Sequence, residues 1–541
     1  MSTRLRQAVA RLASPVLDAT TLALLASLYF TLAFNRVFLA ELGAHGGVSV
    51  AVAGAVAVTA LQFVLLAPLL TRRSAKPLLS VLLFAGAAAS YFIARFGVFI
   101  DAAMLRNALA TDVAESRELL AWDMLPHLLL YWLLPTLLLW RVTLRPLPWR
   151  RALLQRLAAV TLALAVGALT IQAAAQQFVP LMREHKALRY HITPGNLLYA
   201  ATRVFAGERH RVRPRVALGL DARQVEHARR PTLLLVVLGE TVRAANWGLN
   251  GYARQTTPRL AGLDVINYAH ASSCGTSTAV SVPCMFSPGG RAAFDADDSV
   301  NRESLLHVLA HAGIHVLWRD NQSGCKGVCD GLPMENLAAL RAPGLCNDQR
   351  CLDGILIRDL DARITAMTGD TVIVLHMLGN HGPAYFQRYP DGFRRYTPTC
   401  DTTDLGSCSA EAIVNTYDNA ILYTDSVLAQ AVAILQAHAA DRDSAMIYVS
   451  DHGESLGEHG FYLHGLPRAV APDTQTRVPL VMWFSPGYIA SEHVDTGCLR
   501  RAARADVSHD NLFHSVLGVM NVRTALYAPE RDLVSACRTH G

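Results

Sequence analysis

No cysteine occurs before Cys274, and charge is scarce: Asp, Glu, Lys and Arg supply 17% of the 541 residues, against about 25% in average soluble domains. Two long stretches, Gly46 to Leu70 and Leu157 to Gln177, have no charged residue at all. No internal repeat is present, nor any low-complexity tract beyond Ala/Leu-rich runs. The shortage of charge excludes a wholly soluble chain with one large core, because the apolar excess is concentrated at the N-terminus. A net charge of +6 is small for this length, and the arginines flank apolar runs, so nucleic acid is not an expected partner.

The apolar runs come first. Leu17 to Ala40, Gly46 to Leu70, Pro77 to Ile100, Met124 to Trp140 and Leu157 to Gln177 each approach or exceed the roughly 20 residues that cross a bilayer as a helix. They predict a transmembrane domain of five helices over residues 1–177. Arg4, Arg6 and Arg11 precede the first run, Arg72, Arg73 and Lys76 follow the second, and Arg141, Arg145, Arg150, Arg151 and Arg156 separate the last two. The positive-inside rule puts all three groups in the cytoplasm. An odd number of spans then leaves the C-terminal half outside, in the periplasm of a bacterium that holds the chain in its inner membrane. The ten cysteines all lie in that half, mostly in close pairs, as disulfides do in an oxidising compartment. Cys325-x-x-x-Cys329 and Cys346-x-x-x-x-Cys351 also have spacings that a metal could use.

The outer segment 101–123 carries Asn107, Thr111 and Glu115 at intervals of four, which on a helix share one face. That face is either the solvated side of an interfacial helix or a set of contacts to a lipid headgroup. Residues 178–230 mix arginines with apolar residues and read as an interfacial linker. From about Pro231 the pattern changes. Continuous apolar runs at Thr232–Leu238, Ile314–Trp318, Thr371–Leu375, Ala445–Val449 and Val478–Trp483 suit strands buried on both faces. Helical stretches at 304–312, 355–367 and 410–437 alternate with them, which predicts a mostly parallel α/β domain over 231–541.

Chemistry in such a sheet gathers at the carboxyl ends of strands. Glu240 follows the first run, His381 the third, and Asp451-His452, Glu454, His459 and His464 the fourth. Glu240, Asp451 and His452, with a threonine oxygen, compose a zinc-like set of three oxygens and one nitrogen. Cys274-Gly-Thr-Ser-Thr-Ala-Val-Ser-Val-Pro-Cys284 offers two threonines, Thr276 and Thr278, at the start of a helix, and position alone does not choose between them. A metal would cure the weak nucleophilicity of either one.

These residues resemble a known family. Cys274 through Ser287 and Ser450-Asp-His-Gly-Glu-Ser-Leu-Gly-Glu-His-Gly460 look like the phosphoethanolamine–lipid A transferases, relatives of the mobile colistin-resistance enzymes. Val237–Thr241, Asn250–Tyr252, Asn380–Pro383, Thr397–Asp401, Asn415–Asn419 and Leu463–Pro467 extend the match over essentially the whole chain. The resemblance implies an alkaline-phosphatase/sulfatase-like fold for the periplasmic domain. It selects Thr278 as nucleophile and puts one firmly held Zn2+ on Glu240, Thr278, Asp451 and His452. It implies that His381 and His464 stand around the transferred phosphate or hold a second, looser zinc. Lys326 and Glu454 then contact the substrate, and Asn107, Thr111 and Glu115 face the lipid. Gln322 departs from the family pattern, which has Asn in that pocket. Pairing of sequence neighbours gives Cys274–Cys284, Cys325–Cys329, Cys346–Cys351, Cys400–Cys408 and Cys498–Cys537.

The reaction so implied moves phosphoethanolamine from phosphatidylethanolamine to a phosphate of lipid A through a phosphothreonine, in a monomer surrounded by membrane lipids. A lipopolysaccharide core sugar or another periplasmic acceptor, or phosphoglycerol transfer by the same chemistry, is the alternative. A formylglycine sulfatase is excluded, because no Cys-x-Pro-x-Arg motif or serine equivalent occurs.

Overall fold

The computed structural model describes residues 15–110, 113–208, 215–225, 230–299, 301–347 and 350–539. Arg4, Arg6, Arg11 and Thr111 lie outside the described residues, as does the side chain of Glu115. The chain divides into two compact units, Met1–Leu105 with Leu120–Arg203, and Arg106–Leu119 with Val204–Gly541.

In the first unit the apolar runs form helices over Ala19–Phe34, Arg36–Leu66, Ala75–Phe96 and Trp149–Ala173. Their ends differ from the hydropathy-based expectation. The first two runs part at Asn35, not in the connection 41–45, which has no Lys or Arg. The Asn35 amide donates to the carbonyls of Phe30 and Thr193 and accepts the Thr193 N–H, and Gln62 donates to the same Thr193 carbonyl at 2.9 Å. An amide in apolar surroundings is costly unless paired, so these bonds fix the break. Gly47, at φ 77°, then kinks the second helix. The run from Met124 to Arg141 is interrupted by a π-helical turn at Leu129–Leu133.

Four described helices are long and apolar enough to cross a membrane: Arg36–Leu66, Ala75–Phe96, Trp149–Ala173 and Ala410–Ala437. The last belongs to the second unit, where most of it is buried. Ala19–Phe34 is apolar but only 16 residues long. Length and composition thus support three spans in the first unit, where five were expected.

The second unit is built on an eight-stranded sheet. Its strands in chain order are β1 (Thr232–Gly239), β2 (Val265–Ser272), β3 (His315–Asp320), β4 (Met334–Asn336), β5 (Thr371–His376), β6 (Asp443–Ser450), β7 (Arg477–Phe484) and β8 (Val507–Ser508). The spatial order is β8-β2-β7-β6-β1-β5-β3-β4. Strands β6, β1, β5, β3 and β4 are parallel, whereas β7 runs antiparallel to both β6 and β2. Two reversals restore the sense, so β2 points the same way as β1 and β6. The carboxyl ends of β1, β2, β3, β5 and β6 therefore share one edge.

The central strands are buried on both faces, as their unbroken apolar runs require. Each Leu or Val so buried contributes about 1.5–3 kcal/mol. Register sets Leu238 beside His376 and Gly239 beside Ser450. Residues that leave the sheet one position later start as neighbours. Five disulfides join Cys274–Cys284, Cys325–Cys329, Cys346–Cys351, Cys400–Cys408 and Cys498–Cys537. Helix Ala410–Ala437 starts at a Ser409 cap, and two of its turns carry buried aspartates. Asp418 accepts from Asn246, Tyr252 and Arg254, and Asp425 accepts the amides of Arg259 and Leu260.

Candidate active site

The turn that carries Thr276 and Thr278 follows β2. Ser277 is extended and ends the loop, and helix Thr278–Met285 begins at the next residue. A Cβ on Gly275 would meet Val280, so the loop can fold back onto its own helix only with glycine there. The Gly275 amide donates to the Ser281 hydroxyl at 3.0 Å, and the Cys274–Cys284 bridge ties the loop to the far end of the helix. The two threonines separate at once. The Thr276 hydroxyl donates to the Leu466 carbonyl at 2.6 Å, and its own carbonyl accepts the Gly465 amide. The Thr278 hydroxyl donates to Glu240 Oε2 at 3.1 Å and lies 3.5 Å from His452 Nε2. Thr276 thus holds the loop that bears His464, and Thr278 faces the carboxylates at the helix's positive end.

Glu240 leaves the end of β1 between Asp451-His452 on one side and the loop after β5 on the other. Gly379, at φ 52°, lets that loop pass the Glu240 backbone where any side chain would collide, and Asn380 donates its amide to the Glu240 carbonyl. Asp451 Oδ1 accepts the amides of Thr241 and His452. His452 Nδ1–H donates to the Gly453 carbonyl at 2.9 Å, which leaves Nε2 at 3.3 Å from both Glu240 Oε1 and Asp451 Oδ2.

All three side chains are fully buried. Burial alone would push Glu240 up and His452 down, but their mutual attraction outweighs it. Glu240 is held well below the usual carboxylate range, and the two carboxylates lift His452 to about 10. Asp451 is pushed up to about 6 by burial, with the Glu240 charge adding to the rise. The pocket therefore draws positive charge. Asp451 Oδ2 is buried and, among the described residues, has no hydrogen-bond donor. Ligand atoms of Glu240, Asp451 and His452 lie within 4.8 Å of one another. With Thr278 Oγ1 they compose the three-oxygen, one-nitrogen set that a single zinc accepts, so the residues present fit the metal.

The second layer comes from loops. The His464 ring lies 4.3 Å from that of His452 and 5.3 Å from that of His381. Glu454 pairs with His464 Nδ1 at 2.8 Å and accepts the Tyr385 hydroxyl at 2.5 Å. Gln322 donates to Glu240 Oε2 at 2.9 Å, so it touches a carboxylate of the buried cluster directly. Lys326 is engaged by the Ser323 hydroxyl and lines a cleft with Phe286, Ser287 and Glu303, beside the C-terminal end of helix Thr278–Met285. Asn107 is half-buried on helix Ala102–Ala110.

Four contributors were not singled out as site residues in the sequence, although Thr241 and Tyr417 lie inside matched motifs. Thr241 donates to Glu240 Oε1 at 2.6 Å and holds a left-handed φ of 61°. Tyr417 donates to the Thr241 carbonyl, and Tyr385 orients Glu454. His509 accepts the Cys274 amide on Nδ1 and donates from Nε2 to the Ser450 carbonyl, bracing the turn that carries Thr276 and Thr278 against the end of β6. Burial, with the charges of Arg468 and His452, pushes His509 down to about 3, which keeps it neutral for that double role.

The chain was compared with known proteins. The sequence profile described as Sulfatase matches residues 232–522, and that described as Phosphoethanolamine transferase EptA/EptB matches residues 58–209. The chain is 41% identical to phosphoethanolamine transferase EptA of Salmonella typhimurium over 85% of each chain. It is 37% identical to phosphatidylethanolamine transferase Mcr-1 of Escherichia coli, over 83% of this chain and 84% of that one. The solved integral membrane lipooligosaccharide phosphoethanolamine transferase A (EptA) from Neisseria meningitidis superposes with a TM-score of 0.94 at 34% identity, covering 97% of this chain and 100% of that one. On these matches, which run from the helical unit through the sheet-bearing unit, the chain belongs to the phosphoethanolamine transferase family.

Proposed function

We propose that this chain transfers phosphoethanolamine from phosphatidylethanolamine to a phosphate of lipid A, with Thr278 as the covalent carrier. The observation that carries the reading is the hydrogen bond from Thr278 to Glu240 within the buried Glu240–Asp451–His452 cluster. The donor is supported by the name of Mcr-1, a phosphatidylethanolamine transferase, and the acceptor by the lipooligosaccharide named for the Neisseria protein.

In the first half-reaction a bond forms from Thr278 Oγ1 to phosphorus as the bond to diacylglycerol breaks. The threonine proton passes to Glu240, which already accepts it in a hydrogen bond. The leaving diacylglycerol oxygen takes a proton from His464 or His381. Glu454, paired with His464 Nδ1, fixes the orientation of that ring. In the second half-reaction an acceptor phosphate oxygen gives its proton to that histidine and bonds to phosphorus, the bond to Thr278 breaks, and the threonine recovers its proton from Glu240. The first-turn amides of helix Thr278–Met285 stabilise charge on the phosphoryl oxygens in both steps. A zinc held by Glu240, Thr278, Asp451 and His452 would supply Lewis-acid polarisation of the threonine oxygen.

Asn107, Thr111, Glu115 and Lys326 are assigned to substrate contact on the family resemblance. The first unit is read as a five-span inner-membrane domain, in which Ala19–Phe34 and the interrupted Met124–Arg141 stretch add to the three long helices. The second unit is then periplasmic, and the chain acts as a monomer.

Replacing Thr278 by Ala tests the reading. Transfer to lipid A should fall by about 10⁴-fold or more, and intact-mass measurement of protein incubated with phosphatidylethanolamine should lose the phosphoethanolamine adduct. Lipid A modified at the wild-type rate by Thr278→Ala would sink the assignment.

A further inference from the structure

Contacts assign Arg106–Leu119 to the catalytic unit, although the chain on either side of it belongs to the helical unit. Within it, Glu118 on helix Val113–Leu119 is 4% exposed. Its Oε2 accepts from Arg388 Nη2, and its Oε1 lies 3.5 Å from Arg350 Nε. Both arginines are themselves buried, at 3% and 8% exposure. Arg388 also donates from Nε to the carbonyl of His381 at 2.7 Å, and its charge acts on buried Asp353, which accepts the amides of Leu378 and Gly379. Asp353 thus anchors the start of the same loop that bears His381.

A carboxylate and two guanidinium groups leave water only at a cost of several kcal/mol each, unless they pair. An interfacial helix needing only to lie beside the catalytic unit would not bury such a group. A planar arginine fork can serve two acceptors in different directions, which a lysine cannot. Here one fork holds the outer segment by its carboxylate and the catalytic loop by its backbone.

We propose that Glu118, with Arg388 and Arg350, is a docking latch that holds segment 106–119 on the catalytic unit in register with His381, and so acts as a positioning residue for the lipid donor. The latch makes the placement of the outer segment and that of the His381 loop depend on one side chain. Glu118 touches no reacting atom, so its loss acts on large amphiphilic donors and spares a small soluble one. Arg388 braces His381 itself, so its loss acts on both.

The test uses full-length protein in nanodiscs containing phosphatidylethanolamine, and its lipid arm rests on the transfer reaction proposed above. In Glu118→Gln, amide exchange over 113–119 should rise at least about tenfold and kcat/KM with phosphatidylethanolamine should fall at least about tenfold. Hydrolysis of a water-soluble aryl phosphoethanolamine ester should stay within about twofold of wild type. Arg388→Lys should slow both donors. Unchanged exchange together with unchanged lipid turnover in Glu118→Gln overturns the latch, as does an equal loss on both donors, which would mark a general structural role. A wild-type protein that cleaves the ester but moves nothing from phosphatidylethanolamine would refute the transfer reading alone. Exchange over 113–119 would then still decide the latch.

Discussion

One half of the active site stands on strand ends and the other on loops. Glu240, Asp451 and His452 follow β1 and β6 directly, so sheet register brings them together. His464, His381 and Gln322 stand on connections placed by a few bonds from distant residues, such as Thr276 to Leu466 or Arg388 to the His381 carbonyl. Geometry set by many cooperative ladder bonds tolerates the loss of one bond better than geometry set by a few. The strand-end half should therefore fail only when one of its own side chains is removed, and the loop half should degrade when a support is removed.

The sharpest way to break that distinction is Asp451→Asn. It should weaken zinc binding by about a hundredfold or more while the sheet stays folded, as read by metal content and circular dichroism. Full zinc retention would show that the strand-end cluster is not the ligand set. Removing the Cys274–Cys284 bridge as a double serine variant opens a loop of sequence separation 10. The expected cost is about 3 kcal/mol of stability in denaturant unfolding.

The His509 brace offers a pH-dependent test. Its folded pKa is pushed down to about 3, against about 6.5 when unfolded. Its contribution is therefore complete above the unfolded value and is lost as pH falls from 6.5 towards 3. Over that window wild type should lose about 1.4 kcal/mol per pH unit relative to His509→Gln. Parallel pH curves for the two proteins would remove His509 from the support of the nucleophile turn.

The mildest change expected is Thr276→Val, which leaves the Leu466 carbonyl without its partner. It should cost about 1 kcal/mol and slow transfer by less than about tenfold. The same substitution at Thr278, two residues on, should abolish transfer. Equal losses at both positions would erase the separation between support and chemistry.

What could be read from the chain follows the same division. The apolar runs of β1, β5 and β6 announce buried strands, and Glu240 and Asp451-His452 lie immediately after them, so their convergence was legible. Strand β2 was not, because its mixed sequence, Val-Ile-Asn-Tyr-Ala-His-Ala-Ser, lacks an unbroken apolar run. Thr276 and Thr278 were indistinguishable by position, since what separates them is a carbonyl at Leu466 that folding brings up. Hydropathy found the apolar helices but misjudged their ends. It could not register that Asn35 would be paired by Thr193, 158 residues away. In the outer segment, spacing drew attention to Asn107, Thr111 and Glu115. Glu118, the residue the structure ties to Arg388, carried no pattern at all.

Helix Ala410–Ala437 has a consequence for how the chain is sorted. Its best window has a mean hydropathy of 1.4. Under the proposed topology this stretch must pass through the bilayer unfolded, with none of its partners yet in place. A segment in that condition is judged by composition, and an aspartate at the centre of a span disfavours membrane insertion by about 2.5–3.5 kcal/mol. Asp418 and Asp425 are the acidic residues of its middle turns. Paired and buried after folding, they are bare during export, where they mark an apolar helix as cargo and not as anchor.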